Sequence, residues 1–98
     1  MKLEVSDQTA TIELAPSLDI FVAEELLALF VDADNKSLDL NINAGGVEKA
    51  STACLQIIHS AAVSCIEADR TFQITEASDV LVTAFKDLGL YSKITMRS

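Results

Sequence analysis

The spacing of apolar residues changes several times along this chain, and each change marks an element. Lys2-Leu3-Glu4-Val5 alternates polar with apolar, Ser6-Asp7-Gln8 supplies turn chemistry, and Thr9 to Leu14 alternates again with Ala10, Ile12 and Leu14 on one face. This predicts two short paired strands, closed off by Pro16-Ser17. From Leu18 the period becomes helical. Ile20, Ala23, Leu27, Phe30 and Val31 recur together, with Glu24 and Glu25 on a different face. Asp19 or Ser17 is placed to cap the start, and Asp34-Asn35-Lys36 ends the helix. Leu38, Leu40 and Ile42 then alternate with Asp39, Asn41 and Asn43, a strand leading into Ala44-Gly45-Gly46.

A second helix is predicted from about Ser51 to Glu67, followed by a short strand over Thr71–Ile74. A third helix is predicted over Ser78–Leu88, with Leu81, Ala84, Phe85 and Leu88 inward and Gly89 as its stop. Lys93–Arg97, with Ile94 and Met96 on one side, adds a last edge strand. Strands alternating with helices imply an α/β fold: a mixed central β-sheet with helices packed on it. Punctuation is sparse, with three glycines, one proline and no repeat, so residues 1–98 read as a single domain.

The second helix carries the most information. Ala50 to Ile66 contains no charged residue, although charge is dense elsewhere. Helical geometry puts Leu55, Ile58, Ala62 and Cys65 on one face, which is expected to be core. Thr52, Gln56, His59 and Val63 form a second stripe, where an ordinary surface helix would carry Lys or Glu. Their absence implies that this flank is covered, either by the chain itself or by another protein; interface centres are depleted in charge.

Charge narrows the partners. Seven Lys+Arg against fifteen Asp+Glu give a net charge of −8 over 98 residues. Phosphate backbones and anionic membrane surfaces repel such a chain, which argues against nucleic acid as a direct partner. The longest apolar run, Leu26–Val31, is far short of the ~20 residues that cross a bilayer, and Met1–Glu4 shows no secretory pattern. Cys54 and Cys65 lie eleven positions apart on nearly one helical face, ~16 Å along the axis, too far to pair. Both read as reduced, packed thiols of a cytoplasmic protein.

Catalytic machinery is hard to assemble. The only histidine, His59, is ~100° around the helix from Ser60, so the two do not face each other as base and nucleophile. No Gly-x-Ser-x-Gly elbow is present. Without Cys-x-x-Cys or a second histidine, a zinc site lacks ligands. Asp32-Ala33-Asp34-Asn35 departs from a calcium loop at its sixth position, Ser37, and its twelfth, Asn43. The expectation is no catalytic residue, no metal and no cofactor.

Two segments resemble a known family. Ile42 to Gln56 is similar to the STAS-domain segment in which a strand and loop end in an Asp-Ser/Thr-x-Gly-Leu turn opening a helix. Ser51-Thr52-Ala53-Cys54-Leu55-Gln56 is close to the Asp-Thr-Ala-x-Leu-Gln of many bacterial members. Thr75-Glu76-Ala77-Ser78-Asp79-Val80-Leu81 resembles the family's Pro-Ser-x-x-Leu helix start, and Leu88-Gly89-Leu90 its Gly-Leu ending.

The resemblance implies a SpoIIAA-like architecture and an anti-sigma factor antagonist-like regulator: a non-enzymatic cytoplasmic switch that binds an anti-sigma factor or serine kinase-like partner. Its docking surface is then the loop and first turns of the central helix, here Gly45, Gly46, Glu48, Thr52, Gln56, His59 and Val63. In the family a hydroxyl in that turn is phosphorylated. The usual phosphorylated position aligns with Ala53, leaving Thr52 and Ser51 as candidates for modification or for the helix cap. Asn43 and Ser51 stand where the family often has Asp. The same resemblance admits a constitutive subunit of an ABC lipid-transport complex, bound to its ATPase, or a chemotaxis-associated adaptor. Homodimerisation through the neutral face is a further alternative. The resemblance also admits weak nucleotide binding, as in STAS-like domains, but no aromatic or basic cradle is evident in the sequence.

Overall fold

The computed structural model describes residues 1, 3–87, 89, 95 and 96. Strands β1 (Leu3–Ser6) and β2 (Thr9–Glu13) form an antiparallel hairpin with Leu3 opposite Ile12 and Ser6 opposite Thr9. Its turn places Asp7 at φ +49° and Gln8 at φ +68°. Two left-handed residues give a turn whose twist matches that of the flanking strands, but each side chain with a Cβ adds strain there. A Gln8→Gly variant is expected to gain up to ~1 kcal/mol. The measurement is a higher urea midpoint at unchanged slope.

The remaining elements are β3 (Ser17–Leu18), α1 (Ile20–Asn35), β4 (Asp39–Asn43), β5 (Lys49–Ala50), α2 (Thr52–Glu67), β6 (Phe72–Thr75), α3 (Asp79–Asp87) and β7 (Thr95–Met96). The main sheet runs β1-β2-β4-β6-β7, and every pair after the hairpin is parallel. Parallel neighbours need a crossover, and α1, α2 and α3 supply the three. The expected mixed α/β fold is therefore present.

Register explains the core. Ile12, Ile42 and Ile74 lie side by side on β2, β4 and β6, and all three are fully buried. Ala10, Leu40 and Phe72 form the next row. The intervening row on the other face is Thr11, Asn41 and Gln73, polar and half-buried. One face is thus apolar, and residues of α1, α2 and α3 join it in one cluster. The alternation in the strands fixes which face the helices take.

Three sequence expectations need correction. In α1 the buried residues are Ala23, Leu26, Phe30 and Ala33, whereas Ile20 is 68%, Leu27 49% and Val31 50% exposed. The helix is apolar on more than one side, and packing selects the face centred on Leu26 and Phe30. Pro16-Ser17 does not simply close the hairpin unit, because Ser17–Leu18 pairs in parallel with Lys49–Ala50 as a second, two-stranded sheet. The third correction is one of boundaries: the sixth strand begins at Phe72 and the last helix at Asp79. Leu81 and Phe85 point inward as expected, Ala84 is half-buried, and Gly89 at φ +72° follows α3. Lys2, Leu88, Leu90, Lys93, Ile94 and Arg97 lie outside the described residues, and Thr95–Met96 is the described part of the expected edge strand.

Candidate functional site

The conspicuous loops gather where β4 and β6 end, the end of a parallel sheet at which α/β proteins usually place their sites. Asn43, the last residue of β4, organises them. Its Oδ1 accepts from Gly45 N at 3.0 Å, while its Nδ2 donates to Glu76 Oε2 at 2.9 Å. One amide therefore closes the turn after β4 and holds the loop after β6. Glu76 sits at φ +53°, and Ala44 N donates to Thr75 O at 3.0 Å. Gly45 and Gly46 are exposed, and neither has a positive φ. They turn the chain without needing the left-handed conformation that only glycine adopts freely.

The small sheet carries the loop from there to α2. Glu48 N and Lys49 N both donate to Pro16 O, at 2.7 and 3.1 Å, and Ser51 N donates to Leu18 O at 2.7 Å. Ser51 is extended, with φ −76° and ψ 155°, and its Oγ accepts from Cys54 N at 3.3 Å. Of the two candidate caps, the structure therefore assigns the role to Ser51, which is half-buried. Thr52 begins the helix proper and is exposed. Asp19 caps α1 in parallel, accepting from Phe21 N and Val22 N at 3.0 and 3.2 Å. The buried Cys54 thiol donates to Asp19 O at 3.3 Å, so the first turns of α1 and α2 are tied together.

The neutral stripe on α2 is not uniform. Thr52 and Gln56 are exposed, while His59 and Val63 are half-buried. His59 lies only ~40° around the helix from Leu55, a core residue, which draws it toward the packed side. The expected core face of α2 is otherwise as read, with Leu55, Ile58, Ala62 and Cys65 all buried. The open part of the site thus comprises Gly45, Gly46, Glu48, Thr52 and Gln56, with His59 and Val63 at its margin. Asp19 and Glu76 hold its frame. Asp19 was visible as a cap in the sequence, but nothing there marked Glu76 as Asn43's partner.

Electrostatics at this end of α2 are mixed, because the open Glu48 and the framing Asp19 and Glu76 are all carboxylates. The first turn contains no acidic residue, so the partial positive charge of the helix N-terminus is uncompensated by its own side chains. Among the described residues no group of three or more His, Cys, Asp and Glu is placed to hold a metal ion. No described helix is long and apolar enough to cross a membrane.

Deeper in the same helix, burial pushes the Cys65 thiol up from its ordinary 9.0, with Arg70 opposing the shift. The unfolded chain therefore loses this proton before the folded one does. The associated stability is present below about pH 9 and is lost as pH rises through the folded value. Cys54 and Cys65 are both free and buried. Iodoacetamide is expected to label them at the rate of unfolding rather than at that of an exposed thiol, which denaturant-dependent mass spectrometry measures.

Solved structures share this fold. A Thermotoga maritima protein described as an anti-sigma factor antagonist superposes with a TM-score of 0.82 at 15% identity, covering 99% of this chain and 85% of that one. The anti-sigma factor antagonist SpoIIAA in its unphosphorylated form gives 0.83 at 15% identity, covering 99% and 87%. The Bacillus cell fate determinant SpoIIAA in its phosphorylated form gives 0.79 at 16%, covering 99% and 90%. At such identities the likeness establishes the fold. No curated protein matches the sequence significantly. The family model described as "Mlab, STAS domain" matches residues 1–95, and by that match the chain belongs to the STAS domain family.

Proposed function

We propose that the chain acts as a single, non-enzymatic STAS module of the cytoplasm that docks a regulatory protein through the Gly45–Glu48 loop and the start of α2. The observation that carries this reading is the exposed, uncharged Thr52–Gln56 face at the N-terminus of α2, whose first turn carries no acidic residue. Water does not require such a face in a chain of net charge −8, whereas the centre of an interface does.

The partner is an anti-sigma factor or serine kinase-like regulator, and Thr52 is the residue through which it is released. Phosphate from ATP transfers to Thr52 Oγ1, ADP leaves, and the hydroxyl proton passes to the kinase's base. The product adds nearly two negative charges at a helix end that tolerates them. Docking is blocked while the fold persists. Ser51 suits this role less well, because its hydroxyl is already the cap. SpoIIAA, solved in both phosphorylated and unphosphorylated forms, offers a parallel for such a switch.

Ala53, at the position usually phosphorylated, favours a second reading: a constitutive subunit held permanently by a larger ATPase. The test mixes the purified chain with two proteins from its own genome, a serine kinase-type anti-sigma factor and an ABC ATPase. Phosphothreonine at position 52 together with release of the anti-sigma factor is the expected result. A stoichiometric, unmodified complex with the ATPase selects the subunit reading, and binding to neither protein sinks the docking surface itself.

A further inference from the structure

The face that α1 turns away from the core is unusual for a helix with solvent on that side. Ile20, Leu27 and Val31 lie on one flank at i, i+7 and i+11, each about half or more exposed, over ~16 Å or three helical turns. Across from Leu27 and Val31, the side chains of Ile57, Ser60, Ala61 and Ser64 on α2 complete a groove of about 120 Å³. Phe30 and Leu40 help line it, together with Arg70, whose guanidinium is ion-paired with Asp34 and donates to Leu38 O at 2.8 Å. A site for a small organic ligand typically needs ~300 Å³ or more, so this groove fits protruding side chains rather than a whole ligand.

Charge identifies the occupant. Together α1 and α2 carry Glu24, Glu25, Asp32, Asp34 and Glu67, and neither helix contains a Lys or Arg. Glu25 is paired with the N-terminal ammonium, Asp32 with Lys36 and Asp34 with Arg70. Glu24 and Glu67 make no ion pair among the described residues; Glu24 lies beside Leu27 and Val31 on α1, and Glu67 ends α2 one turn beyond Ser64, both outside the lining of the groove itself. A second copy of the chain would bring the same acidic flanks and a net charge of −8. Like-charge juxtaposition of that kind disfavours association.

We propose that the α1/α2 groove is a second docking site, separate from the Thr52 face, for an amphipathic helix of a partner protein with Lys or Arg beside its apolar stripe. The partner's apolar residues enter between Leu27, Val31 and Ile57, in the helix-in-groove mode with anchors at i, i+3 or i+4, and i+7. Its cations meet Glu24 and Glu67. The half-exposed Leu27 and Val31 then complete their burial on binding rather than on folding.

The test needs no identified partner. The full isotope-labelled chain is titrated with a synthetic Leu/Lys amphipathic helical peptide and with its Leu/Glu counterpart of identical pattern, and amide shifts are followed by NMR. The expected result is saturable shifts confined to the residues around Leu27, Val31, Ile57 and Ala61, with the acidic peptide binding at least ~10-fold more weakly. Leu27→Glu/Val31→Glu is expected to weaken the Leu/Lys peptide by ~10-fold or more, whereas Thr52→Glu leaves it unchanged. That contrast separates this groove from the face proposed above. Val31→Ser serves if the double variant does not fold, with a smaller loss expected. Equal binding of both peptides, shifts centred elsewhere, or unaltered affinity in the stripe variants would overturn the proposal. So would a dimer in sedimentation that Leu27→Glu dissolves, since the groove would then belong to a second copy.

Discussion

Replacing Phe85 with alanine is expected to cost ~3–5 kcal/mol, the range for truncating a buried aromatic side chain. Phe85 is fully buried, and with Leu81 it forms the buried face of α3. That helix has nine residues, too few to persist alone in water, so tertiary packing must hold it in place. A domain of this size has ~5–15 kcal/mol in total, and the variant therefore loses a large fraction of its stability. Urea unfolding at unchanged slope measures the loss, and hydrogen exchange should find α3 amides opening first. Val80→Ala on the same helix, half exposed, is the control and should stay within ~0.5 kcal/mol.

The second large effect is on binding rather than folding. Thr52→Glu and Gln56→Arg, each made singly, are expected to weaken the regulatory partner by ~30-fold or more, the scale of a central interface residue. Both positions are exposed, so melting temperatures should barely move. Ser51→Ala provides the opposite signature. It removes the acceptor for Cys54 N and should cost ~1 kcal/mol of stability, with the neighbouring face left chemically intact. Calorimetric binding together with thermal unfolding distinguishes the two. If Thr52→Glu and Gln56→Arg both bind at full strength, the docking face has been misplaced.

Most of the architecture was legible in the chain because its hydrophobic period switches cleanly. Ala10, Ile12 and Leu14, or Leu38, Leu40 and Ile42, admit only one buried face, and the sheet uses it. The core side of α2 was readable too, since Leu55, Ile58, Ala62 and Cys65 share one face at helical spacing, although Ile57 and Val63 lie off it half-buried and Ile66 exposed. In α1 the same method fails. Leu26, Leu27, Leu29, Phe30 and Val31 surround much of the helix, so periodicity alone could not decide between Leu26 and Leu27. The two-residue pairing of Ser17–Leu18 with Lys49–Ala50 is too short to leave any periodic trace.

At the site, composition located the neutral helix but could not choose its cap. Ser51 and Thr52 offer the same hydroxyl, and only the extended backbone at Ser51 determines which one faces Cys54 N. The lack of charge left open whether the chain itself or a partner covers the stripe, and the exposure of Thr52 and Gln56 decides only that the chain does not cover its N-terminal half. The partial cover over His59 follows from its place only ~40° around the helix from Leu55.

Asn43 has a consequence for how this protein can change. Its side chain offers an acceptor to Gly45 N and a donor to Glu76 Oε2, and only an amide supplies both from one residue of that length. Aspartate there would preserve the bend yet set two carboxylates against each other. Residues 43 and 76 are therefore coupled, with a mismatch at this exposed contact costing up to ~1 kcal/mol. Drift that brings an acid to 43 is expected to favour loss of the one at 76.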